Sequence, residues 1–211
     1  MKKIMKILLL ILGGLLLVLL IAAAVYIYHN LNYDQGVMKK LEKAGFIEKQ
    51  AELPDGTILN YGEGPDNGPP LFLIHGQMVS WVDYAKVLPA LSGYFHIFAV
   101  DCHGHGGSSK DPAKYTAQAM GNDFVWFIEQ VIGEPAYVSG HSSGGLLAAW
   151  LAANFPQNVR GVVLEDPPFF STEPDRREKT FAWLDGFEII HRFLNQSAET
   201  NYTRFYLKNS Y

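Results

Sequence analysis

The sequence is poor in the residues that staple or metallate a fold. It has one cysteine, Cys102, which excludes an internal disulfide framework and leaves the redox compartment open. No Cys/His cluster has the spacing of a metal site, and His103 and His105 read as residues of a glycine-rich turn. No basic stripe or nucleic-acid module is present, and the formal net charge is −4, so nucleic acid is not an expected partner. Internal repeats are absent, and so are low-complexity tracts outside the N-terminal segment. Charge is missing altogether between Ile7 and Tyr28, and after Ser142 the only histidine is His191.

The uncharged run from Ile7 to Tyr28 defines the first segment. As a helix it extends about 33 Å, enough to cross the hydrocarbon core of a bilayer. Lys2, Lys3 and Lys6 precede it, and Tyr26 and Tyr28 close it where interfacial aromatics are favoured. A soluble domain has no use for so long a helix without a polar face. Residues 1–28 are therefore expected to be a membrane anchor, with the bilayer as partner through residues 7–28. The three lysines favour a cytoplasmic N-terminus, although Lys39 and Lys40 lie within counting range on the far side. The competing reading is a cleaved signal peptide, with Ala22-Ala23-Ala24 as its cleavage site. The first places a single-pass protein in the cell membrane and the second secretes it; both put the remaining chain outside the cytoplasm.

Residues 29–45 read as a polar, partly helical linker. Beyond it, Ile47–Leu53 and Thr57–Tyr61 flank the turn Pro54-Asp55-Gly56, as a hairpin would. Strands are then expected at Leu71–Ile74, Phe95–Val100, Pro135–Ser139 and Val159–Leu164. Helices are expected near Trp81–Leu91 and Tyr115–Ile132 and after Gly144. This alternation implies an α/β fold with a mostly parallel sheet and right-handed crossovers. Residues 171–210 break the rhythm and read as amphipathic, aromatic-rich helices.

The most informative motif is Gly140-His141-Ser142-Ser143-Gly144. It follows an apolar strand and runs into Leu146-Leu147-Ala148-Ala149-Trp150, which is strong helix material. Strand, G-x-S-x-G and helix in succession form a nucleophile elbow, in which glycines allow a sharp turn and the central serine stands exposed. Ser142 is the nucleophile candidate. His75-Gly76-Gln77 ends one upstream strand, and Asp101-Cys102-His103-Gly104-His105-Gly106-Gly107-Ser108 ends another.

With these three segments in this order, the chain resembles the α/β-hydrolase superfamily over roughly residues 45–190. The resemblance implies an α/β-hydrolase core over residues 46–168 and the start of a helical cap over residues 169–211. It also implies an oxyanion hole made by the backbone N–H groups of Gln77 and Ser143. The turn after the fourth strand often carries Arg where this chain has His103. Asp101 is expected to organise that turn, His75 to pack beneath its loop, and His141 to shape the elbow.

The family orders its triad as serine, acid, histidine, with the histidine last. His191 lies on a helical face and reads as a cap histidine rather than a base. Asp166, at the end of the strand after the elbow, is the candidate acid, and its bland alternative is a loop cap before Pro167-Pro168. Glu165 alternates to the other side of that strand. The sequence is therefore expected to be a fragment of a longer hydrolase that lacks its histidine and leaves a sheet edge exposed. The expected chemistry is hydrolysis of a small-molecule ester or related acyl substrate through an acyl-enzyme, with no cofactor and no metal. A serine at the elbow argues against epoxide hydrolase and haloalkane dehalogenase chemistry, which use aspartate there. The rival reading is a membrane-anchored pseudoenzyme that binds a ligand without turnover.

Overall fold

The computed structural model describes residues 2–32, 35–181, 183–196 and 198–209. The chain divides into two compact units, Met1–Ile47 and Glu48–Tyr211.

The first unit is built on a long helix, α1 (Lys2–Leu31), which continues three residues past Tyr28. Only leucine, isoleucine, valine, alanine, glycine and tyrosine occur from Ile7 to Tyr28, and these side chains are exposed wherever their burial is described. A second helix, α2 (Gln35–Lys43), ends in a left-handed Gly45, and the N–H of Phe46 returns to the carbonyl of Leu41 at 2.9 Å. That return bond is how a helix with glycine just past its end satisfies its last carbonyls.

The second unit carries a six-stranded sheet in the order β1-β2-β4-β3-β5-β6. Its strands are β1 (Ile47–Glu52), β2 (Ile58–Glu63), β3 (Pro70–Ile74), β4 (His96–Val100), β5 (Ala136–His141) and β6 (Val159–Glu165). β2 pairs antiparallel with β4, and the pairs β4–β3, β3–β5 and β5–β6 are parallel. β1 and β2 meet at the Pro54-Asp55-Gly56 turn, where Asp55 Oδ1 accepts from the N–H and hydroxyl of Thr57. β3 is buried throughout, as a central parallel strand covered on both faces must be. β6 is an edge strand, and its Val162, Val163 and Leu164 stay exposed on both faces. The chain passes from β3 to β4 on one side and to β5 on the other. The strand order thus switches beside β3, where open α/β sheets form their ligand crevice.

Two expected helices are more broken than their apolar pattern suggests. Trp81–Lys86 is a 3-10 segment, followed by the single-turn α3 (Leu88–Leu91). The expected helix over 115–132 starts later, as α4 (Ala117–Phe127), because Thr116 caps it by accepting from the Ala119 N–H. It then widens into a π turn over Ile128–Ile132 and stops at left-handed Gly133. α4 lays Phe124 and Phe127 against the sheet. Phe72 of β3 packs between them, with ring centroids at 5.3 and 5.5 Å, and Tyr61 of β2 meets Phe127 at 4.8 Å. α5 (Ser143–Asn154) follows β5 directly. Beyond β6 come α6 (Pro174–Arg177), α7 (Glu188–Gln196) and α8 (Tyr202–Asn209).

Phe72 is fully buried at the centre of this aromatic cluster. Phe72→Ala is expected to lower unfolding stability by about 3–5 kcal/mol. Tyr94→Ala, at an exposed position, should stay within about 0.5 kcal/mol. Denaturant titration of the two variants checks the difference.

Candidate active site

Ser142 is the single residue between β5 and α5, and its backbone sits at φ 54, ψ −117. A non-glycine residue in that region costs about 1–3 kcal/mol and persists only where its surroundings over-determine it. They do so here. The Ser142 N–H donates to the carbonyl of Glu165 at the end of β6, at 2.8 Å, and its own carbonyl accepts from the Gly145 N–H at 3.0 Å. The flanking glycines have a steric reason. A Cβ on Gly144 would stand 2.1 Å from the Ile74 carbonyl oxygen, and one on Gly140 would stand 2.1 Å from the Gly144 oxygen. Only bare backbone lets the first turn of α5 rest on the ends of β3 and β5.

The same packing brings the His75-Gly76-Gln77 segment against the elbow. A Cβ on Gly76 would lie 3.2 Å from Ser142 Cβ. Neither the Gln77 N–H nor the Ser143 N–H is spent on another described residue. Ser143 opens α5, where the first N–H groups of a helix have no intrahelical acceptor. Both residues line a cavity of about 400 Å³, which Met120, Leu146 and Leu147 make apolar and His103 and Tyr115 make polar. Ser142 is not among the lining residues; it stands beside Ser143, which is.

The remaining sequence candidates lie at β6, on α7 and on the elbow. Asp166 follows β6 with φ 48 and is exposed. Its neighbour Pro167 packs against the start of α5, with Pro167 Cβ 2.9 Å from where a Gly145 Cβ would be. Glu165 faces the Ser139 side of the sheet and its carboxylate accepts from the Ser139 hydroxyl. His191 lies on α7 with its ring 5.2 Å from that of Trp183. His141 is exposed on the elbow. Among the described residues, Ser142 Oγ has no hydrogen-bond partner.

Three buried polar groups hold the loops around the elbow. His75 spends both ring nitrogens on backbone: Nδ1–H donates to the Gly76 carbonyl at 2.6 Å, and Nε2 accepts the Cys102 N–H at 3.0 Å. This fixes a neutral tautomer, so the Asp101 carboxylate 3.8 Å away makes no ion pair with it. Asp101 accepts from the N–H groups of Trp81 and Gly107 and from the Asn60 amide, at 2.7 to 2.9 Å. Gly106 passes so close that a Cβ there would fall 1.9 Å from Asp101 Oδ2. His103 stands where the resemblance favours arginine. Its Nε2–H donates to Asp123 Oδ2 at 2.9 Å, and Lys114 Nζ holds the same carboxylate. Burial pushes the Cys102 thiol up to about 12, which makes it inert as a nucleophile at neutral pH. Asn60, Asp123 and Glu165 carry no motif signal; each is found only through a partner distant in sequence.

A parallel sheet that switches order at β3, with a strained serine turning from strand to helix beside it, defines an α/β domain of the hydrolase type. The profile of the alpha/beta hydrolase fold family matches residues 69–200, and the chain belongs to that family. The chain is 33% identical to bifunctional epoxide hydrolase 2 of Sus scrofa over 126 residues, covering 58% of this chain and 22% of that protein. It is 28% identical over 188 residues to a 1-acylglycerol-3-phosphate O-acyltransferase described as probable, from Oryza sativa subsp. japonica, covering 76% of this chain and 44% of the other. Among solved structures, it superposes on a membrane phospholipase A described as a bacterial virulence factor, with a TM-score of 0.61 at 29% identity, covering 74% of this chain and 51% of that one. The chain thus spans about half or less of each of these three proteins, and its relatives include hydrolases.

Burial holds the His75 imidazole below its ordinary pKa. Above about pH 6.5 folded and unfolded chains are both neutral at this site. As pH falls below that value the unfolded chain takes up the proton first, and stability drains away until pH passes the folded pKa. Denaturation midpoints should therefore fall on acidification below about pH 6.5. His75→Gln should flatten that part of the curve, and an unchanged slope in the variant would assign it to other groups.

Proposed function

We propose that this chain is a membrane-anchored serine hydrolase of the α/β-hydrolase family that cleaves an ester or related acyl substrate. The observation that carries the reading is Ser142 in its strained elbow, with the unspent N–H groups of Gln77 and Ser143 beside it. Ser142 Oγ attacks the substrate carbonyl, a general base takes its proton, and the carbonyl oxygen becomes an oxyanion held by the two N–H groups. The alcohol or amine leaves, and water then releases the acyl group from Ser142. Asp166, in the turn beside the elbow, is the proposed acid that orients the base. A serine at this position fits acyl transfer, whereas epoxide and haloalkane opening in the superfamily use an aspartate. The acyltransferase and phospholipase among the similar proteins also act on acyl groups, as their names state.

The anchoring half of the proposal rests on α1. Its uncharged run is long enough to span a bilayer, and Lys2, Lys3 and Lys6 favour an N-terminus on the cytoplasmic side, which leaves the hydrolase unit outside.

A fluorophosphonate probe reports on an activated serine. The full-length gene product is expected to be labelled at Ser142, as located by peptide mass, and Ser142→Ala is expected to remain unlabelled. A full-length gene product that folds yet takes no label would instead favour a non-catalytic ligand-binding role.

The oxyanion assignment is tested separately. Gln77→Pro removes one N–H, and the preceding Gly76 has no Cβ for the proline ring to crowd. It should slow labelling about 10²- to 10³-fold. Gln77→Ala keeps the N–H and should stay within a few fold, so equal rates in the two variants would refute the assignment.

A further inference from the structure

Gln77 sits between two peptide planes, and a histidine holds each of them. The plane before it joins Gly76 to Gln77. Its carbonyl accepts from His75 Nδ1–H at 2.6 Å, and planarity then sets the direction of the Gln77 N–H. The plane after it joins Gln77 to Met78, and the Met78 N–H donates to His105 Nε2 at 3.2 Å. The partners of His105 specify its ring: Nδ1–H donates to the His103 carbonyl at 3.2 Å, which leaves the Nε2 lone pair for Met78. Its mount is fixed. The His105 N–H donates to the Cys102 carbonyl at 3.0 Å, and its own carbonyl accepts from the Ser108 N–H at 3.1 Å. Its ring meets that of His75 edge to face, with centroids 5.1 Å apart.

The backbone that this bond restrains is strained. Met78 has φ 66, in the left-handed region that residues with a Cβ disfavour. Its side chain is 92% exposed, so packing does not hold it there. The segment is also tied at both ends, by His75 at Gly76 and by the Trp81 N–H, which donates to Asp101 Oδ1 at 2.7 Å. A backbone rotation at Met78 has to be taken up within residues 77–80, and Gln77 is its immediate neighbour.

We propose that His105 is a positioning residue for the acyl-transfer reaction: by accepting the Met78 N–H it holds the strained turn that keeps the Gln77 N–H on the oxyanion. The proposal rests on the serine hydrolase reading and on Gln77 as an oxyanion donor. His105 touches no reacting atom. It acts where charge develops on the substrate oxygen, so its loss weakens the transition state and leaves ground-state binding unchanged. A small misplacement of this kind costs up to about 100-fold in rate.

The test is the rate of fluorophosphonate labelling at Ser142 of the full-length gene product, resolved into a maximal rate and a half-saturating probe concentration. His105→Phe keeps an aromatic ring against His75 and removes the acceptor. Its maximal rate is expected to fall about 10- to 100-fold, with half-saturation little changed. His105→Gln restores an acceptor and is expected to return the rate to within a few fold of wild type. Independently, Met78 is replaced by its α-hydroxy acid, so that an ester oxygen stands where the N–H stood. This variant should be slowed as much as His105→Phe, and combining the two should slow labelling no further. A wild-type maximal rate in His105→Phe or in the ester variant would overturn the proposal and leave the nucleophile in place. A His105→Gln rate as low as that of His105→Phe would overturn it too, because the ring and not its acceptor would then be required. A wild-type gene product that takes no label would overturn the hydrolase reading and this proposal with it.

Discussion

The site depends on one contact in which backbone meets backbone with no side chain between. The first turn of α5 lies on the ends of β3 and β5, and Gly140 and Gly144 are the residues that permit it. With β5 and α5 so close, only Ser142 is left to reverse the chain, and it has to leave the ordinary regions of backbone space to do so. The strain is carried by the cooperative fold. Pairing of β5 with β6 places the Glu165 carbonyl where it receives the Ser142 N–H, and α5 supplies the Gly145 N–H to the Ser142 carbonyl. A substitution that pushed α5 off the sheet would relieve the strain and lose the geometry together.

A second constraint works on the loops. Asp101, His75 and His103 are buried here, and each has a partner that also fixes a loop. The Asp101 carboxylate collects donors from β2, from the segment opening at Trp81 and from the glycine turn, so a strand and two further segments converge on one anion. His75 joins the ends of β3 and β4. An unpaired carboxylate at such a position would cost several kcal/mol; three N–H donors convert that liability into positional restraint. His103 follows the same logic. Where the resemblance favours a guanidinium, a shorter imidazole reaches Asp123 on α4, and Lys114 completes the neutralisation of that carboxylate.

The strands were legible because central parallel strands are short apolar runs: β3 and β5 are such runs bounded by glycine or proline, and β4 is one that leads into the Asp101–Ser108 glycine turn. The elbow was legible because its chemistry demands glycine at fixed offsets. Asp101 could be read as a turn organiser, since a carboxylate beside Gly104, Gly106 and Gly107 has backbone donors within reach. Its partners could not be read. Asn60 lies 41 residues away, and nothing in the alternation of β2 distinguishes a buried amide from a solvent-facing one. The helix after Tyr115 starts two residues later than expected because the Thr116 hydroxyl accepts from the Ala119 N–H and caps it there. Apolar periodicity also failed to separate a π turn at Ile128–Ile132 from a continuing α-helix, because both bury Ile128.

The allocation of N–H groups along the elbow bears most directly on chemistry. Three consecutive residues could in principle offer donors to an oxyanion, but the Ser142 N–H is committed to Glu165. That commitment holds the turn in place and removes one donor. The Ser143 N–H is the first to escape both the sheet and the helix ladder, and it lines the cavity together with Gln77. Donors fixed by secondary structure need not reorganise when charge develops on a substrate oxygen, which is the condition for electrostatic stabilisation of a transition state. The strain at Ser142 is therefore coupled to the freedom of the Ser143 N–H. A relaxed backbone at 142 would rotate the following peptide and re-aim that donor. In the proposed reaction the elbow both presents the nucleophile and sets the direction of its oxyanion donor, through a single peptide plane.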